Sequence, residues 1–287
     1  MGDYRMHATA ADGRLRAVAV ATSNTAKKAQ TVHEAFPVAA AAMGRLMSCA
    51  ALLASDWKEM SGRLTLNVRG DGPIGRLVAE TRPDGSMRAR VQHPQVELPL
   101  RDDGKLAVGQ AVGVEGWLSV LRQTRDGEWY QSQVALQTGE IGDDFLHYLT
   151  QSEQVPSAVS VGVLIGRDGF VMESGGVQIQ AMPGCPAALL DQVTHEFQGL
   201  KHISRRLTDG ESLNNLLAAV LPAPIRWYPE EPLGWGCWCD RQTIHQALAA
   251  LDTQDLDDLI ADGGAEVICH FCRNAYQFTA AELARGT

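Results

Sequence analysis

The sequence predicts an α+β protein with three parts: a large N-terminal domain with antiparallel sheets, a helical and Pro-rich linker, and a small C-terminal four-cysteine module. Strand signals come in runs and do not alternate regularly with helices, which argues against a doubly wound parallel sheet. Pro222, Pro224, Pro229 and Pro232 interrupt the chain late, as a semi-rigid connector would. Four of the six cysteines lie beyond residue 236. The 287 residues leave room for roughly two domains, at about 150 residues each.

The first strand is expected over Arg14 to Ala21, where Leu15, Ala17, Val18 and Val20 are apolar. Ser23 or Thr25 then opens a helix as N-cap, and Pro37 breaks it. A second helix runs from Val38 past Met43 and Met47 to Leu53, with a stop near Asp56. The stretch Phe36 to Ala54 is the most apolar of the chain, yet it carries Arg45 and is rich in Ala. It is therefore a buried helix and not a membrane span.

From Gly62 to Pro99, Leu64, Leu66 and Val68 mark one face of a β-meander with Gly- and Pro-containing turns. Gly70-Asp71-Gly72-Pro73-Ile74-Gly75 matches the G-x-G-x-x-G pattern of dinucleotide loops. Arg76 to Glu80 is too short for the helix that would hold a pyrophosphate, so the segment is a hairpin turn. Further strands are expected at Ala111 to Leu121 and Glu128 to Leu136. A helix opens at Thr138-Gly139-Glu140-Ile141 and ends near Ser152. Glu140, Asp143 and Asp144 are its charged first turn, not an acid/base pair.

Two strands, Ser157 to Ile165 and Phe170 to Ala181, flank the turn Gly166-Arg167-Asp168-Gly169, and Pro183-Gly184 closes the domain at 1–184. Pro186 to Leu221 is helical with a break near Gly210, so 185–232 forms the linker. The module at 233–287 has about 50 residues, a size that needs a metal or another staple.

The net charge of −9 (25 basic against 34 acidic residues) repels phosphate backbones and argues against a nucleic-acid partner. Met1 to Gly13 lacks a secretory signal, so the protein is expected in the cytoplasm. Thiols are kept reduced there, and clustered cysteines then indicate metal binding or redox chemistry.

The module reads Cys237-Trp238-Cys239, then Cys269-His270-Phe271-Cys272. Four thiolates at about 2.3 Å close the tetrahedral shell of a structural Zn²⁺ site. His270 is a solvent-facing filler, and Cys49 and Cys185 take buried apolar roles. No G-x-S-x-G and no His pair at i, i+4 supports an enzyme. The spacings leave open a zinc-ribbon adaptor with no redox role. A dithiol oxidoreductase using Cys269 and Cys272 is a weaker alternative. That motif sits where a strand meets a helix, whereas Glu266-Val267-Ile268 and Tyr276-Gln277-Phe278 frame a two-stranded ribbon.

Over nearly its whole length the chain resembles the redox-regulated heat-shock chaperones of thirty-three kilodaltons. The resemblance rests on Gly62-Arg63-Leu64-Thr65-Leu66, Arg69-Gly70-Asp71-Gly72-Pro73 and Gly139-Glu140-Ile141. It also rests on Ser152-Glu153-Gln154-Val155-Pro156-Ser157-Ala158, Gly175-Gly176 with Gln180, and C-x-C followed by C-x-x-C. It implies an ATP-independent, non-enzymatic holdase for unfolding clients, with zinc on Cys237, Cys239, Cys269 and Cys272 when reduced. On oxidation it implies Cys237–Cys239 and Cys269–Cys272 disulfides, zinc release and a homodimer. Such relatives carry a strongly charged linker, whereas Leu213 to Trp227 is largely apolar and Pro-rich.

Overall fold

The computed structural model describes residues 2–55, 60–124, 126–200 and 203–284. The chain divides into two compact units, Met1–Trp235 and Gly236–Thr287.

The first unit opens with the hairpin β1 (Tyr4–Ala10) and β2 (Leu15–Ala21), followed by α1 (Ser23–His33) and α2 (Pro37–Ala54). The meander β3 (Met60–Arg69), β4 (Arg76–Thr81) and β5 (Ser86–Val91) leads to the short α3 (Val108–Val112). Then come β6 (Trp117–Thr124), β7 (Trp129–Ala135), α4 (Gly142–Gln151), β8 (Ser157–Ile165) and β9 (Val171–Ala181). Three helices follow, α5 (Ala187–Gly199), α6 (Ile203–Thr208) and α7 (Leu213–Ala218), and three short strands, β10 (Ile225–Trp227), β11 (Glu231–Pro232) and β12 (Gly234–Trp235). One sheet has the order β10-β1-β2-β9-β8, with β11 also on β1; the other has the order β12-β5-β4-β3-β6-β7.

Helix α2 packs on strands of both sheets, and its Ala-rich surface lets them approach closely. Leu46, Met47, Cys49, Leu52 and Leu53 are buried there with Leu64, Leu66 and Val68 of β3. Alone among the described helices, α2 is long and apolar enough to cross a bilayer, and 89% of that window is buried inside the protein. Its Arg45 forms an ion pair with Glu140, which also holds Arg101 at 3.0 Å. A second core lies on the other face of β1, β2 and β9, where Val193, Ile203, Leu213 and Leu217 of α5 to α7 pack on Leu15, Val177 and Ile179.

Several expectations change in the structure. Strand β1 was not legible. Neither Ser23 nor Thr25 caps α1 with its own side chain: the Asp3 carboxylate accepts from Asn24 N at 2.9 Å and Thr25 N at 2.7 Å. Helix α2 ends at Ala54, and the stop expected near Asp56 lies outside the described residues. The strand expected from Ala111 begins only at Trp117, because Asp71 accepts from Val114 N and Glu115 N and turns the chain there. Gly70–Gly75 is a hairpin turn, with Arg69 opposite Arg76.

Helix α4 starts at Gly142, so Glu140 is not in its first turn; Asp143 and Asp144 are. Asp144 is wholly buried and accepts from Gln137 N at 2.7 Å and Thr138 N at 3.1 Å, so it organises the loop that enters the helix. The Pro-rich stretch is not a free connector. It lays β10 and β11 on β1 and β12 on β5, at sheet margins where a missing N–H is tolerated. At the β4–β5 turn Gly85 has φ +80°, and a Cβ there would meet the Pro232 carbonyl at 2.1 Å.

The second unit holds α8 (Arg241–Ala249), α9 (Thr253–Ala261), the ribbon β13 (Gly264–Ile268) and β14 (Ala275–Thr279), and α10 (Ala280–Leu283). Asp240 and Asp252 cap α8 and α9 through their side chains. Its core is small: among the described residues it buries Leu256, Phe278 and Leu283.

Candidate metal centre

The four cysteines sit on two short segments of the second unit. Cys237 and Cys239 precede the Asp240 cap of α8, and C-x-C spacing lets both sulfurs turn toward one point. Cys269 and Cys272 form the tight end of the β13–β14 ribbon. There Cys269 N donates to Asn274 O at 2.9 Å, Arg273 N donates to Cys269 O at 2.9 Å, and Arg273 takes φ +61°. The ribbon register, Ile268 opposite Ala275, fixes where that knuckle points.

All four Sγ atoms lie within 4.8 Å of one another. Cys237 Sγ is 3.4 Å from Cys239 Sγ and 3.7 Å from Cys269 Sγ, and Cys239 Sγ is 3.3 Å from Cys272 Sγ. A tetrahedron with metal–sulfur bonds of about 2.3 Å has sulfur–sulfur edges of about 3.8 Å, so the thiols are placed to fit one tetrahedral ion. Four soft sulfurs with no oxygen donor suit zinc and complete its shell, leaving no position for a reactive water.

Burial pushes the Cys239 thiol up, against a hydrogen bond from Tyr276 that favours the thiolate. Burial likewise raises Cys272. A bound dication reverses this balance and displaces the protons. The Tyr276 hydroxyl lies 3.2 Å from Cys239 Sγ and 3.2 Å from Cys239 O. Hydrogen bonding to Cys239, with some burial, pushes its phenol up to about 12, so it stays protonated at neutral pH.

The sequence brings Cys237, Cys239, Cys269 and Cys272 to notice, and the structure gathers them. Sequence reasoning places Tyr276 only on a strand; its position against Cys239 comes from the ribbon register, which no local motif announces. His270 is exposed, Cys49 is buried in the α2 core, and Cys185 is half-buried beside the second core.

Fold and site together define a protein with an α+β body of two sheets about a buried helix, followed by a small four-thiol module suited to a metal. A family model described as Hsp33 protein matches residues 3–279, and the chain belongs to that family. It is 37% identical over 289 residues to a 33 kDa chaperonin of Desulforamulus reducens, covering 99% of this chain and 97% of the relative. It is 37% identical over 282 residues to the 33 kDa chaperonin of Bacillus subtilis strain 168, covering 98% and 97%. The crystal structure of a 33 kDa chaperonin (heat shock protein 33 homolog) from Thermotoga maritima matches with a TM-score of 0.89 at 31% identity, covering 100% of this chain and 98% of that one.

Proposed function

We propose that the protein is a redox-regulated, ATP-independent holdase, without enzymatic activity, that binds unfolding proteins in the cytoplasm under oxidative stress. The observation that carries this reading is the clustering of four Sγ atoms within 4.8 Å in a unit whose described residues bury three core side chains. Cys237, Cys239, Cys269 and Cys272 hold one Zn²⁺ in the reduced, resting protein, and the metal supplies most of the folding energy of Gly236–Thr287.

Oxidation then couples metal loss to unfolding. Each disulfide takes two thiolates, one hydrogen peroxide and two protons, and yields two waters. Two such steps, closing Cys237–Cys239 and Cys269–Cys272, leave no thiolate for zinc, which departs as Zn²⁺. The module and part of the 185–232 segment lose their fold and bare apolar surface on the 1–184 body. That surface takes clients and favours a homodimer. Family membership supports the chaperone activity, and the donor set supports zinc as the cofactor.

Counting bound zinc and free thiols before and after peroxide treatment, beside suppression of aggregation of a denatured client, tests the reading. One zinc and reduced thiols at rest, then no zinc and client binding after oxidation, are expected. Equal client binding in both states would instead identify a zinc ribbon with no switch.

A further inference from the structure

We propose that Tyr276 is a positioning residue of the metal centre, its one hydroxyl shared between the main chain and the sulfur of Cys239. The inference rests on the metal reading given above. One phenolic oxygen stands 3.2 Å from Cys239 Sγ and 3.2 Å from Cys239 O, and it has one proton to give. Through both contacts Tyr276 ties the C-x-C segment to β14. Its ring is held by the ribbon, where Tyr276 stands opposite Val267, and by packing on the small core of the module.

This arrangement distinguishes the two sides of the centre. The knuckle of Cys269 and Cys272 is closed by its own turn, through Asn274 O and Cys269 O. At the C-x-C segment, Tyr276 reaches across from the ribbon and meets both the sulfur and the backbone of Cys239. Partners of this sort around metal ligands usually matter by about 10–100-fold in affinity.

The test uses the full-length reduced protein and compares wild type, Tyr276→Phe and Val267→Ala. Phe keeps the ring and removes only the hydroxyl, while V267A loosens the same strand pair and leaves the hydroxyl. Zinc affinity is measured by competition with a chromophoric chelator. The thiolate-to-metal charge-transfer band is recorded after replacing zinc with Co²⁺. Y276F is expected to bind zinc about 10–100-fold more weakly, with a shifted cobalt band. V267A should change affinity less and leave the band in place. An unchanged affinity and band in Y276F overturns the proposal, and so does a V267A variant that matches Y276F in both, which would reduce the effect to packing. Wild-type protein that binds neither zinc nor cobalt would sink the metal reading itself, an outcome separate from any difference between variants.

Discussion

Replacing Cys269 by Ser removes one of four sulfurs and leaves the module to stand on its own core. Partly buried side chains such as Ile244, Leu259 and Val267 pack around that core, and its buried members among the described residues are Leu256, Phe278 and Leu283. At about 1.5–3 kcal/mol each they contribute roughly 5–9 kcal/mol before any ordering cost. On the zinc reading, a structural site would contribute about 10–16 kcal/mol, more than those three side chains. C269S, or wild type treated with chelator, should therefore lose the fold of Gly236–Thr287 while the sheet pairing of β2 with β9 is kept. Hydrogen exchange reads this directly. The amides pairing β13 with β14, from Gly264 opposite Thr279 to Ile268 opposite Ala275, should lose protection, and those pairing β2 with β9 should keep it. Ribbon amides that stay protected in metal-free protein would refute the reasoning, because side-chain burial alone would then suffice.

Asp3→Ala should destabilise the first unit by about 2–4 kcal/mol in urea titration, since the buried Thr25 amide and the partly buried Asn24 amide at the start of α1 lose a charged acceptor; Asp3→Asn should recover part of this. Asp144→Ala should cost about 1–3 kcal/mol by the same measurement, because the Gln137 and Thr138 amides would be left unpaired beside a buried position. Burial and the neighbouring Arg5 hold the His7 imidazole down to about 4 from an ordinary 6.5. The unfolded chain therefore takes up the proton first, and the stability His7 contributes is whole above pH 6.5 and is lost as pH falls toward about 4. Denaturation across that range should show this slope in wild type and a shallower one in His7→Asn.

Much of this fold is legible where side chains advertise their environment. Leu64, Leu66 and Val68 alternate on β3, and a one-residue shift would put all three in water, so pattern and structure agree. Strand β1 escapes because its inward residues are Met6, Ala8 and Ala10, and alanine carries little hydrophobic signal. The prolines near 222–232 conceal strands because the usual rule against proline applies inside a sheet and not at its margin. Glu140 resembles a helix-end charge until Arg45 and Arg101 are brought to it from distant parts of the chain. The four cysteines are readable because their spacing alone forces each pair together, whereas the link from Tyr276 to Cys239 exists only once β13 and β14 are in register.

The short strands β10, β11 and β12 act as a strap, and the strap ends one residue before the second unit begins. It is wired into the body at Asp3, whose carbonyl accepts from Leu233 N at 3.0 Å while its carboxylate holds the start of α1. Loosening the strap therefore disturbs the first helix as well, and the two are thermodynamically linked. It would also strip β1 and β5 of their outer neighbours. A bared strand presents donors and acceptors of the main chain, which pair with any extended polypeptide whatever its side chains are. The eleven residues from Ile225 to Trp235 thus cover, along the outer margins of β1 and β5, main-chain groups that their release would bare.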